Sequence, residues 1–97
     1  MKQTKSLHIR EILQDYYREN PQLWQKILEI RIQHAWGEML GPTIMRATQN
    51  LYVKNHVLYV FLTSSVLRNE LFLSRKRLLK SLNDHAGEEV IRDIVIR

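Results

Sequence analysis

Apolar residues change their period three times along this chain. In residues 6–18, Ile9, Ile12, Leu13, Tyr16 and Tyr17 fall at i, i+3, i+4, i+7 and i+8, which is one stripe of a helix. Lys5, Arg10, Glu11, Asp15 and Arg18 take the other side. Because that polar side carries both signs of charge, the helix is expected to pack on its own domain and not to lie on a membrane. Asn20-Pro21 then reads as a helix start, with asparagine as the cap and proline in the first turn, where it has no amide to waste. The helix that follows is predicted over residues 21–40. Leu28, Ile32, Ala35, Trp36, Met39 and Leu40 form its main stripe. Leu23, Ile27 and Ile30 lie beside that stripe and predict a second buried face, so that one face meets a sheet and the other the N-terminal helix. Gly41-Pro42 ends or kinks the helix, and residues 43–48 can form one more turn carrying Ile44 and Met45.

From residue 51 the period becomes two. Residues 51–54 alternate, Asn55-His56 is a turn, and residues 57–62 form a second strand, together a β-hairpin. Asn55-His56 reads as a two-residue turn, although it lacks the glycine that tight primed turns favour, which leaves a looser turn open. Thr63, Ser64 and Ser65 offer capping hydroxyls to a third helix over residues 66–86, whose stripe is Leu67, Leu71, Leu78 and Leu82. Gly87 supplies its left-handed stop. Residues 90–96 are dense in β-branched side chains and predict the last strand. The order α-α-β-β-α-β gives an α+β fold, a three-stranded sheet with helices packed on one face. The hairpin is antiparallel and the last strand lies parallel to a neighbour after a crossover.

Ninety-seven residues suffice for one core and not two. Without cysteine there is no disulfide frame, thiolate metal site or thiol nucleophile, as expected of a cytoplasmic protein. The longest apolar run, residues 57–62, is far below the ~20 residues that cross a bilayer. Fifteen Lys and Arg against ten Asp and Glu give a formal charge of +5, which favours a polyanionic partner such as nucleic acid.

Catalytic chemistry is thinly represented. His8, His34, His56 and His85 sit in four different elements without metal-ligand spacing, and three glycines cannot make a phosphate loop. No enzyme, metal or cofactor is expected. Binding is better supported. Arg75, Lys76, Arg77 and Lys80 cluster on the third helix, with Arg68 about two turns earlier, and no acid lies between Arg75 and Asn83 to neutralise them. Such a cluster suits contacts to a nucleic-acid backbone. If Leu51, Val53, Leu58, Val60 and Leu62 face the helices, Tyr52, Lys54, Tyr59 and Phe61 face outward. Those aromatics can stack bases, but coverage by the N-terminal helix through Ile9, Tyr16 and Tyr17, or pairing with a second copy, is the preferred expectation.

The ordered series Trp36-Gly37-Glu38-Met39-Leu40-Gly41, Leu51-Tyr52-Val53, Val57-Leu58-Tyr59-Val60 and Thr63-Ser64-Ser65-Val66-Leu67-Arg68-Asn69-Glu70-Leu71 resembles the DciA family. Leu78-Leu79-Lys80-Ser81-Leu82-Asn83 and Val90-Ile91-Arg92-Asp93-Ile94 continue the likeness, which spans residues 20–97. The resemblance implies a single KH-like domain of type II, αββααβ, over residues 21–97, preceded by an extra N-terminal helical arm in residues 1–20. It splits the third helix near Leu73-Ser74. It also implies a part in bacterial DNA replication, with the replicative helicase and single-stranded DNA as partners. A KH domain clamps nucleic acid through a Gly-x-x-Gly loop. Residues 68–73 contain no glycine, so Arg68, Arg75, Lys76, Arg77 and Lys80 remain as the route to nucleic acid. Many members continue into a tail that orders on the helicase, whereas this sequence ends at Arg97, and residues 6–18 are the expected substitute contact. The alternatives are an RNA-binding KH-like protein with the same basic face, and a homodimeric interaction module using Tyr52, Tyr59 and Phe61.

Overall fold

The computed structural model describes residues 11–97. Of the features expected in the first helix, its start at residue 6 and Lys5, His8, Ile9 and Arg10 lie outside the described residues. Helix α1, residues 11–18, is followed by α2 (Pro21–Ala47), β1 (Thr48–Lys54), β2 (Val57–Leu62), α3 (Ser65–Leu73), α4 (Arg75–Ala86) and β3 (Asp93–Ile96). β2 is the central strand, antiparallel to β1 and parallel to β3. This α+β arrangement, a mixed three-stranded sheet preceded by an extra helix, is that of a small KH-like domain.

Leu58, Val60 and Leu62 alternate along β2 and, with Ile94 of β3, turn inward. They meet Leu28, Ile32, Ala35 and Trp36 of α2, a helical stripe at i, i+4, i+7 and i+8, and Leu78, Leu82 and Ala86 of α4. Trp36 is fully buried, and its Nε1–H donates to Thr48 Oγ1 at 3.2 Å. The Thr48 hydroxyl donates in turn to the Ile44 carbonyl at 2.7 Å, so one threonine closes α2 and opens β1. The strand therefore begins three residues earlier than the alternating pattern predicts. Gln49 is the extra residue of a bulge, since Thr48 faces Leu62 while Asn50 faces Phe61.

Some expectations hold and several are corrected. The hairpin turn has the two residues read from Asn55-His56 and is tight despite the missing glycine, with Asn55 at φ +52° and His56 at φ +64°. The His56 carbonyl accepts from the Arg92 amide at 2.7 Å, and its ring Nδ1 lies 3.2 Å from the Val90 carbonyl, contacts that hold this conformation. Asn20 occupies the N-cap position of α2 without capping it; its side chain donates instead to the Tyr16 carbonyl of α1 at 2.8 Å. The continuous helix over 66–86 breaks at Ser74, where the family pattern places the joint. Such a helix would run about 32 Å, against roughly 20 Å for the six residues of β2, so the bend lets Leu71 and Leu78 both reach the sheet. β3 starts at Asp93 and not at residue 90, because Asn83 takes the backbone groups of Val90 and Ile91: its Oδ1 accepts both amides, and its Nδ2 donates to the Ile91 carbonyl.

The second face of α2 is not covered as expected. Leu23 and Ile30 are exposed, and so are Ile12, Leu13 and Tyr16 of α1. The described part of α1 touches the body through Arg18, whose guanidinium stands 5.5 Å from the Trp24 ring centre. Arg31 lies over the same ring at 5.3 Å and donates to the Ala86 carbonyl, tying α2 to the end of α4.

Candidate nucleic-acid interface

The α3–α4 joint sets the geometry of the basic cluster. Ser64 caps α3 by accepting the Leu67 amide, and Leu71 anchors the helix to the core. Ser74 breaks the rod, and the chain re-enters a helix with Arg75, Lys76 and Arg77 as its first three residues. No acid occupies that first turn and no side chain caps it. The positive end of the helix dipole thus adds to three cationic side chains at one place. Cations here oppose the dipole, an arrangement that costs a few tenths of a kcal/mol or more and that an approaching anion relieves.

The five expected contact residues are not equivalent. Lys76 and Arg77 are exposed and make no ion pair among the described residues. Arg75 is half-buried, 3.8 Å from the Asp93 carboxylate, with its guanidinium 4.2 Å from the centre of the Phe72 ring. Lys80 pairs with Asp84 at 2.9 Å, one turn on. The hydrogen bond to Asp84, and then its charge, raise the Lys80 pKa above its ordinary value. Arg68 turns inward and donates to the Leu62 carbonyl at 2.7 Å, fixing the end of β2 to α3. The cluster is therefore not free of acids, as the spacing within the helix suggested. Asp84, just beyond that interval in sequence, pairs with Lys80, and Asp93, at the start of β3, returns to Arg75 in space.

The expected protein-contact residues form two separate groups. Tyr52, Tyr59 and Phe61 lie on the sheet face opposite the helices. The Tyr52 ring stacks on Tyr59 at 5.0 Å and on Phe61 at 6.1 Å, as cross-strand neighbours do. Lys54 shares this face at the hairpin end. Tyr16 and Tyr17 touch edge to face at 5.8 Å on α1, with Tyr16 exposed. The rings of Tyr52, Tyr59 and Phe61 are all half-buried.

Three exposed apolar residues of α3 escaped the stripe pattern: Val66, Phe72 and Leu73, the last 76% exposed. The signal was present, since a helix that buries Leu67 and Leu71 turns residues 66 and 73 away from the core. The histidines among the described residues play structural or surface parts: His85 pairs with Glu38 at 3.0 Å, His56 sits in the hairpin turn and His34 is exposed. Among the described residues no three His, Asp or Glu side chains converge as a metal site would require, and no helix is long and apolar enough to cross a membrane.

Compared with known families, residues 8–96 match the family model described as Dna[CI] antecedent, DciA. No curated protein matches the sequence.

Proposed function

We propose a function from one premise, that this chain belongs to the DciA family. Family membership carries a role connected with replication and helicase loading. In this proposal the chain is a non-enzymatic accessory that acts in the cytoplasm, binds single-stranded DNA through the start of α4 and contacts the replicative helicase. Residues 21–97 serve as the KH-like domain and residues 1–20 as an arm. Lys76 and Arg77 make the main phosphate contacts, Arg75 contributes from its place beside Asp93, and Lys80 and Arg68 are secondary because each already has a partner. The observation that carries this proposal is the first turn of α4: three successive cations, no acid and no cap. Backbone contacts of this kind read charge and not sequence. Protein contact is assigned to the uncovered stripe of α1, including Tyr16 and Tyr17, and to the aromatic sheet face of Tyr52, Tyr59 and Phe61.

Replacing Arg75, Lys76, Arg77 and Lys80 by glutamate should abolish salt-sensitive binding to an oligonucleotide, each lost phosphate contact removing about 0.7 from the slope of log K against log salt. Unchanged affinity at low salt would remove the basic helix from the account. Equal-length RNA and DNA strands in competition separate the DNA reading from an RNA-binding one. Retention of purified replicative helicase on the immobilised protein tests the partner, and no retention would discard it.

A further inference from the structure

Phe72 is more than half exposed although a guanidinium already lies against its ring. Arg75 holds one side of the ring at 4.2 Å and is itself anchored towards Asp93, so the aromatic plane is presented in a fixed setting. Lys76 lies four residues beyond Phe72, across the break at Ser74, followed by Arg77, both exposed and unpaired among the described residues. An aromatic surface beside cations is the combination that holds unpaired nucleotides: the cations neutralise phosphates and the ring takes a base. Duplex DNA offers phosphates but no free base face, so such a ring adds nothing to duplex binding.

A protein occupant fits less well. Val66, Phe72 and Leu73 are only three side chains, whereas a stable protein interface covers roughly 800 Å² on each partner. Three cations against the exposed acids Glu70 and Asp93 still leave this tip with a net positive charge, which matches a phosphate backbone.

We propose that Phe72 is a base-stacking residue that makes the α3–α4 joint selective for unpaired strands. This rests on the nucleic-acid function proposed above and extends it, since cations alone do not distinguish a single strand from a duplex. The glycine-free joint thereby engages a base where a glycine loop would engage backbone.

The test measures binding of the full chain, by fluorescence anisotropy at low salt, to labelled oligo(dT) and to a duplex of the same length. The parent should favour oligo(dT). Phe72→Ala should lose roughly 5- to 150-fold in affinity for oligo(dT), the range found when one stacked base loses its ring, and bind duplex as the parent does. Phe72→Leu, which keeps apolar bulk without a π face, should lose similarly, and Phe72→Trp should retain binding. A Phe72→Ala or Phe72→Leu protein within twofold of the parent on oligo(dT) overturns the proposal and assigns the tip to a protein contact. Equal losses on both ligands overturn it as well. A parent that binds neither ligand refutes the nucleic-acid function and the stacking role together. Loss on both ligands in Lys76→Glu/Arg77→Glu alone would retain the function and isolate the fault in Phe72.

Discussion

Replacing Asn83 with alanine should open the loop that delivers β3 to the sheet. Asn83 Oδ1 accepts the amides of Val90 and Ile91 at 2.9 and 3.0 Å, and its Nδ2 donates to the Ile91 carbonyl at 2.9 Å. Val90 is 2% exposed and Ile91 is fully buried, so these backbone groups have few alternatives. A buried polar group left unpaired costs about 1–3 kcal/mol. Asn83 also borders an open cleft of about 540 Å³, through which water can reach the vacated positions, and this favours the low end of that range. Three groups at about 1 kcal/mol each give a loss near 3 kcal/mol. In urea, with a slope of about 1 kcal/mol per molar for a small domain, the midpoint should fall by about 3 M. Asn83→Asp keeps an acceptor for both amides and loses only the donor, so its loss should be smaller than that of alanine. A Asn83→Ala protein that unfolds within 0.5 M of the parent would refute the reasoning, because the loop would then be held by apolar burial alone.

Other outcomes follow from single sites. Trp36→Ala should cost about 3–5 kcal/mol in urea unfolding, since it empties the centre of the core and also breaks the contact with Thr48. Gly41→Ala should lower stability by about 1–3 kcal/mol through backbone strain alone, as Gly41 has φ +83° and ψ 176° and no atom crowds the added carbon; an unchanged melting temperature would contradict this. Asp93→Asn removes the carboxylate beside Arg75 and should tighten oligo(dT) binding at low salt by up to about fivefold, within the worth of an exposed ion pair. If the aromatic sheet face joins two copies, Tyr59→Asp should lower the mass seen by light scattering, and an identical mass would count against that interface.

Periodicity made the order of elements legible. The Leu28, Ile32, Ala35 and Trp36 stripe, the alternation of Leu58, Val60 and Leu62, and the Gly87 stop each appear where local pattern places them. What the pattern missed depends on contacts distant in sequence. Asn83 withholds Val90 and Ile91 from the ladder, although their side chains suit a strand. The hairpin accepts Asn55 and His56 at positive φ because Arg92 and Val90 bind the turn from the far end of the chain. Charge was legible as a count but not as a field. Asp93 reaches Arg75 only after the crossover, and Arg68 is turned away by the end of β2. The exposed Phe72 became meaningful once the break at Ser74 placed it beside the cations.

The central claim is that nucleic acid is held at the start of α4. Amide shift mapping of the isotope-labelled protein against oligo(dT) tests it directly. Perturbations concentrated on residues 72–80, fading as salt is raised, are the predicted result. Shifts centred on Tyr52, Tyr59 and Phe61, or no shifts at low salt, would contradict it.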